Sequence, residues 1–271
     1  MEENGLIFRS FASGSSGNCY YLGTRQQGIL IDAGISARQI QKCLREMDLD
    51  FQNIMGVLIT HDHADHIGSA GKLSSFLNVN VYVSKLVFDN IAVSYHRYHV
   101  DKDKLTIIKA GETFSLGKFM ITPFVIPHDA SDNFGYKIIN DDEVFTVMTD
   151  IGKPTKDVAE HIRNSNYLVI EADYDPYMLA VNPRYDKMLK NRITSGMGHL
   201  SNDQTAMMLY DNFHENLRFV SLCHLSQENN KPDLAKSIVL NKLKERNITE
   251  NSNFRIEVLR RNQLSGPWVL K

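Results

Sequence analysis

The residues with the clearest chemical potential fall in one short stretch, Thr60-His61-Asp62-His63-Ala64-Asp65-His66. Neutral imidazole nitrogen and carboxylate oxygen both bind Zn²⁺ and related divalent ions at about 2.0–2.2 Å. Two His spaced by two on an extended segment can point the same way, because side chains alternate along a strand. Asp65 and His66 follow where the chain turns into a helix, so they face elsewhere. One such stretch can offer two ligands to each of two neighbouring metals. A solvated His-rich turn is the plain alternative, and the density of ligand-type residues directly after an apolar run speaks against it.

That stretch needs an element on each side to hold it. Residues 54–60 are an apolar run suited to a buried strand, and 67–77 reads as a helix. Upstream, 6–11, 19–22 and 29–31 read as short strands between Ser/Gly-rich turns. The spacing of Ile40, Leu44 and Met47 predicts a helix over 37–47 with Ser36 as its N-cap. A strand follows at 79–83, and β-branched or aromatic runs mark strands at 105–108, 119–126, 134–139 and 144–148. Beyond Pro154, strands at 167–170, 219–223 and 254–259 alternate with helical segments near 155–163, 201–214 and 232–246. This order predicts sheets covered by helices in one α/β or α+β domain spanning 1–271.

Composition bounds the rest. The 271 residues are 42% hydrophobic and 23% charged, with a formal net charge of −2. A chain of this length buries about 70–75% of its unfolded surface, so it needs no disulfide or metal merely to fold. Near-neutral charge excludes a protein coated in basic residues, yet leaves a local electropositive site open. Cys19, Cys43 and Cys223 are widely spread and form no CxxC pair. No disulfide framework is expected, and the cytoplasm is the expected compartment. No stretch approaches the ~18 apolar residues of a membrane span, and the acidic start is unlike a signal segment. A soluble protein with no membrane partner is the expectation.

His61-x-His63-x-Asp65-His66 resembles the signature of the metallo-β-lactamase superfamily, and the resemblance extends over nearly the whole chain. It implies a four-layer αββα sandwich of two mixed β-sheets flanked by helices. His128, in Ile126-Pro127-His128-Asp129-Ala130, matches the family's third-motif histidine. Asp150, in Thr149-Asp150-Ile151-Gly152, matches the carboxylate that bridges both metals, and His224, in Cys223-His224-Leu225-Ser226, matches the last histidine. The resemblance therefore implies one metal held by His61, His63 and His128. A second is held by Asp65, His66 and His224, with Asp150 shared. The ions are Zn²⁺ or Mn²⁺, and Fe²⁺ accepts the same ligands. Asp32, in Ile31-Asp32-Ala33-Gly34, resembles the family's early Asp near the ligands, the alternative being a turn carboxylate.

Fold alone does not decide the substrate. The loop Ser13-Gly14-Ser15-Ser16-Gly17-Asn18 reads as a hairpin turn, yet backbone N–H groups in such loops suit phosphate. Glu171-Ala172-Asp173-Tyr174 and Gly198-His199-Leu200-Ser201 resemble the Glu and His motifs of phosphodiesterase members such as the tRNA 3′-processing ribonucleases. His224-Leu225-Ser226-x-Glu228-Asn229-Asn230, taken with the Ser/Gly loop, resembles the YycJ (WalJ) subfamily, whose members are regarded as 5′→3′ DNA exonucleases. Ser15, Ser16, Asn18, Ser226 and Asn229 thereby become candidates for substrate binding. One departure is Asp173-Tyr174, where that subfamily often has an Asn-His pair, so a role resting on that pair does not transfer. Only 73 residues separate Asp150 from His224, too few for the inserted domain of the β-CASP nucleases, and no Gly/Pro-rich arm of the ribonuclease Z kind is visible.

The implied activity is a metal-dependent phosphodiesterase, a 5′→3′ DNA exonuclease, with DNA repair implied only by the subfamily. Two metals at such a site would activate water for in-line attack at phosphorus. Asp65 would orient it, and His199, positioned by Glu171, would protonate the departing 3′ oxygen. The alternatives are a small-molecule hydrolase acting on a thioester, lactam or cyclic phosphodiester, and a tRNA-processing-type endoribonuclease. A non-catalytic binding protein is disfavoured because every expected ligand is present. Among the remaining polar residues, His96-Arg97-Tyr98-His99 reads as a solvated loop that could touch a nucleic-acid backbone. His161 and His214 read as surface residues near helix C-termini. Arg184, Lys187, Lys190 and Arg192 read as a solvated helix face, placed between Glu171 and His199 where a phosphate could also meet it.

Overall fold

Short apolar runs separated by polar turns build two sheets in the computed structural model, which describes residues 5–93, 98 and 100–270. The chain opens with β1 (Leu6–Ala12), β2 (Cys19–Gly23), β3 (Gly28–Ile31), α1 (Ala37–Arg45) and β4 (Ile54–Leu58). Next come α2 (Ala64–Ile67), α3 (Ala70–Leu77), β5 (Val81–Val83), α4 (Lys85–Val93), β6 (Leu105–Ile107) and β7 (Phe114–Leu116). The second half runs β8 (Phe119–Val125), β9 (Phe134–Asn140), β10 (Glu143–Met148), α5 (Lys156–Arg163) and β11 (Tyr167–Glu171). It continues through α6 (Pro176–Val181), α7 (Lys187–Thr194), α8 (Asn202–Asn212) and β12 (Phe219–Cys223). It closes with α9 (Pro232–Lys244), β13 (Arg255–Val258) and β14 (Ser265–Leu270).

The first sheet has the order β14-β1-β2-β3-β4-β5-β6, and the second β13-β12-β11-β10-β9-β8-β7. Both are mixed: β1, β2 and β3 pair antiparallel while β3 to β6 pair parallel. In the second sheet β9 and β10 form a hairpin and β10 to β13 run parallel. The chain divides into two units, Met1–Phe119 with Ala130–Phe134 and Arg260–Lys271, and Met120–Asp129 with Gly135–Leu259.

In the first unit, Ile40 and Leu44 of α1, Leu73 and Leu77 of α3, and Val87 and Ile91 of α4 pack with Leu30, Val57, Val81 and Val83 of the sheet. In the second, Val158 and Ile162 of α5, Leu209 of α8 and Val239 and Leu243 of α9 pack with Leu168, Ile170, Val220 and Leu222. Each such aliphatic side chain contributes roughly 1.5–3 kcal/mol on full burial. Two mixed sheets flanked by helices match the expected fold class. Among the described residues no helix is long and apolar enough to cross a membrane.

One element departs from its expected bounds. The helix expected over 67–77 is instead α2 and α3, interrupted at Gly68 and Ser69. A continuous helix would need Ser69 N–H to donate to the Asp65 carbonyl. That carbonyl accepts from Asn18 N (2.7 Å) instead, and Ser69 N donates to the Ala33 carbonyl (2.8 Å). Tertiary hydrogen bonds therefore cut the helix directly after the His/Asp motif.

Candidate metal centre

In the first unit the ligand-type residues stand at the carboxyl ends of the parallel pair β3 and β4. Ile31 and Leu58 are register partners, so Asp32 and the Ile59-Thr60-His61 extension leave the sheet side by side. Asp32 takes a left-handed φ of 61°, a conformation that costs a non-glycine residue energy and that clusters at functional sites. The turn aims its buried carboxylate back at the motif: Oδ1 accepts from Thr60 N (2.8 Å) and Oδ2 from His66 Nδ1 (2.7 Å). Thr60 Oγ1 lies 3.0 Å from the same Oδ2 and 3.0 Å from His61 Nδ1. Burial pushes the Asp32 carboxyl upward from its ordinary range, opposed by His66 and Thr60.

His63 is extended (φ −66°, ψ 145°) and starts α2, whose single turn carries Asp65 and the buried His66. The ring centroids of His61 and His63 lie 4.6 Å apart, and those of His61 and His66 4.0 Å apart. Asp65 Oδ2 is 3.5 Å from His66 Nε2. Two loops clamp this turn. Asn18 grips the Asp65 carbonyl through its backbone N–H and brings its side-chain nitrogen within 2.9 Å of His66 Nε2. Gly34 packs so closely that a Cβ there would stand 1.6 Å from the Asp65 carbonyl oxygen.

The second unit repeats the device on a parallel sheet. Met148, Ile170 and Leu222 are register partners on β10, β11 and β12, so Asp150, Glu171 and His224 emerge at one sheet edge. Asp150 and His224 take left-handed φ values of 56° and 55°. Asp150 Oδ1 is the focus: His128 Nε2 lies 3.7 Å away, and His199 Nδ1 and His224 Nε2 each lie 3.6 Å away. Asp150, Glu171, His199 and His224 each bring a ligand atom within 4.8 Å of the others.

Glu171 is fully buried and orders this edge. Its Oε2 accepts from Ile151 N (2.8 Å) and Leu200 N (2.9 Å), while Oε1 lies 2.8 Å from His199 Nδ1 and 3.3 Å from His224 Nδ1. Burial alone would raise its carboxyl, but the His199 and His224 imidazoles outweigh that and hold it below its ordinary value. Burial likewise opposes charge on His199, yet Glu171, with Asp173 and Asp150 beyond it, lifts that imidazole to about 9.

The donor set fits divalent metals. Nδ1 of His66 is held by a carboxylate, Nδ1 of His128 by the Gly198 carbonyl (3.0 Å) and Nδ1 of His61 by the Thr60 hydroxyl. Orienting one ring nitrogen in this way is how proteins present the other to a metal. The three cysteines are buried and free, and none belongs to these clusters. An all-nitrogen-and-oxygen set suits Zn²⁺, Mn²⁺ or Fe²⁺.

The other expected positions fall as follows. Ser15 and Ser16 are exposed at the loop tip, where Arg261 Nη1 donates to Ser15 Oγ (3.3 Å) and Ser16 Oγ to Asn262 Oδ1 (2.8 Å). Ser226 N donates to the Asp173 carbonyl (2.8 Å), and the buried Asn229 accepts from Asn182 Nδ2 (2.6 Å) and donates to Ser226 Oγ (3.3 Å). Arg184 pairs with Glu228 (2.7 Å), Arg192 with Asp129, and Lys190 Nζ donates to the Ala180 carbonyl (2.8 Å). Lys187 is exposed. His161 and His214 are half-buried rather than surface residues. His161 stacks on Phe124 with centroids 3.4 Å apart, and His214 Nε2 lies 3.2 Å from the Ile162 carbonyl oxygen. His96, Arg97 and His99 lie outside the described residues, while the Tyr98 hydroxyl donates to the Asp62 carbonyl (3.1 Å).

Sequence reasoning passed over Thr60, Asp62 and Asn230. Asp62 is held by Asn90 and by Ser131 Oγ (2.5 Å), and Asn230 Nδ2 donates to the Ala172 and Asp173 carbonyls (2.9 Å each). Asp32 for Thr60, Asn90 and Ser131 for Asp62, and Ala172 and Asp173 for Asn230 all lie 28 or more residues away, so no local spacing marks these contacts.

Fold and donor set together define a superfamily. Residues 27–215 match the family model described as a beta-lactamase superfamily domain, and the chain belongs to the metallo-β-lactamase superfamily. Within it, the chain is 32% identical over 256 residues to the exodeoxyribonuclease WalJ of Streptococcus pneumoniae, covering 94% of this chain and 95% of that protein. It is 30% identical over 252 residues to the exodeoxyribonuclease YycJ of Bacillus anthracis, covering 93% and 94%. Zn²⁺-bound PqqB from Methylobacterium extorquens shares the fold with a TM-score of 0.71 at 14% identity, covering 96% and 99%.

Proposed function

We propose that this protein is a metal-dependent phosphodiesterase that degrades DNA as a 5′→3′ exonuclease. The observation that carries the reading is the Glu171–His199 pair, 2.8 Å apart, with His199 3.6 Å from Asp150. Such a pair supplies a proton at a leaving oxygen, a need of phosphodiester cleavage. The relatives named exodeoxyribonuclease support DNA as the polymer.

The family's ligand pattern assigns one divalent ion to His61, His63 and His128 and another to Asp65, His66 and His224, with Asp150 common to both. Zn²⁺ or Mn²⁺ is the proposed metal. When bound, ions at such a site supply Lewis acidity toward water and the phosphoryl oxygens. Residues 1–271 are proposed as one metallo-β-lactamase-like domain. Three buried free thiols support a reducing, cytoplasmic setting.

The chain's own residues do the rest. Asp65 accepts a hydrogen bond from the attacking water and fixes its direction. Glu171 holds His199 through Nδ1, which leaves Nε2 as the face that delivers a proton to the departing 3′ oxygen. The Glu171 carboxylate beside it favours the protonated form of His199.

End-labelled duplex DNA, single-stranded DNA and RNA, run beside a panel of thioesters, lactams and cyclic phosphodiesters, test the reading. Metal-dependent shortening of DNA is expected. Turnover confined to the small esters, or internal cuts in a structured RNA alone, would overturn it.

A further inference from the structure

The first unit carries a second polar cluster that the ligand pattern does not use. The loop between β1 and β2 is locked at its base: Asn18 Oδ1 accepts from Gly14 N (2.8 Å), and Gly17 N donates to the Gly14 carbonyl (2.9 Å). Gly14 and Gly17 have φ of 150° and 149°, a region that side chains rarely enter and glycine enters freely. The base is also joined to the metal-type motif, since Asn18 bonds the Asp65 carbonyl and lies beside His66.

A segment from the far end of the chain, Arg260-Arg261-Asn262, lies on this loop. Ser13 N donates to the Arg261 carbonyl (3.1 Å), Arg261 Nη1 to Ser15 Oγ (3.3 Å), and Ser16 Oγ to Asn262 Oδ1 (2.8 Å). Two exposed hydroxyls and a half-buried guanidinium therefore converge at the loop tip, with the exposed Arg260 adjacent. A planar guanidinium fork matches the oxygens of a phosphate, and hydroxyls add donors to the same group.

We propose that Ser15, Ser16 and Arg261 form a seat for a phosphate of the nucleic-acid strand, an inference that rests on the nuclease reading. The hydroxyls exchange their present partners for phosphate oxygens, and Arg261 supplies the charge. Because Asn18 couples the loop to Asp65 and His66, the seat fixes the strand relative to the residues that cut it.

Fluorescence anisotropy of the metal-loaded protein with an internally labelled, nuclease-resistant phosphorothioate oligonucleotide tests the seat between 50 and 200 mM salt. Arg261→Ala should weaken binding about tenfold and reduce the log–log salt slope by about 0.7–0.9, the signature of one lost phosphate contact. Arg261→Lys should restore part of both, and Ser15→Ala should weaken binding with the slope unchanged. Oligonucleotides with a 5′-phosphate or a 5′-hydroxyl distinguish a terminal from an internal phosphate as the occupant. Wild-type affinity and slope in a folded Arg261→Ala variant would overturn the seat, as would a wild-type protein that does not bind DNA. Binding that depends on Arg261 without any metal-dependent cleavage would leave the seat standing and sink the nuclease reading.

Discussion

A single buried carboxylate, Glu171, ties together the Asp150 turn, the His199 segment and the end of β12 through Ile151 N, Leu200 N and the imidazoles of His199 and His224. On the proposed reading Glu171 orders the site and His199 delivers the proton, and the two roles are separable by mutation. His199→Ala should lower kcat by about 10²–10⁴, the usual contribution of a general acid, with metal content by elemental analysis unchanged. Equal loss of bound metal would contradict that division. Asp32→Asn should weaken metal binding about 10–100-fold, because an amide cannot accept from both Thr60 N and His66 Nδ1 as the carboxylate does. Competition with a chromophoric chelator measures it, and unchanged affinity would remove Asp32 from the account. At this scale the ligand-type residues were legible, because imidazoles and carboxylates at close spacing announce themselves. Thr60 and Asn230 were not, since an ordinary hydroxyl or amide acquires its role only from a distant partner.

At the scale of elements, close backbone approach shapes the His/Asp turn. Gly34 lets the β3–α1 connection lie against Asp65, and a methyl group there would meet the carbonyl at 1.6 Å. Gly34→Ala should therefore destabilise the protein by about 1–3 kcal/mol or more, the range for overpacking, and lower metal affinity with it. Thermal melting followed by circular dichroism checks this, and a wild-type midpoint would contradict it. Periodicity placed most strands and the long helices within a few residues. It failed at 67–77, where a continuous apolar pattern hides the Asn18 and Ala33 hydrogen bonds that break the helix. It gave no strand at β14, where Gly266 and Pro267 interrupt the apolar run yet fit a strand at the edge of the sheet. Pattern reports which face is apolar, and not which carbonyls another loop has taken.

Over the whole molecule, a formal charge of −2 excludes a basic-coated binder and leaves any attraction for phosphate to local sites. That sheets are covered by helices was legible from a strand-rich half and an αβ-alternating half, whereas the two-sheet sandwich was legible only through the family resemblance of the His/Asp motif. Metal should couple activity to stability. Exhaustive chelation should abolish hydrolysis and lower stability by about 2.7 kcal/mol relative to protein held at metal one hundred times its Kd. Readdition of Zn²⁺ or Mn²⁺ should restore both, and a melting midpoint indifferent to metal would contradict a resident metal. The most direct test of the central claim is a time course on duplex DNA carrying a label at one 5′ end, with and without metal, beside Asp150→Ala. The account predicts labelled mononucleotide from the earliest times in metal-loaded wild-type protein and none from the folded variant. Intact labelled strands at every time, or equal release by Asp150→Ala, would contradict it.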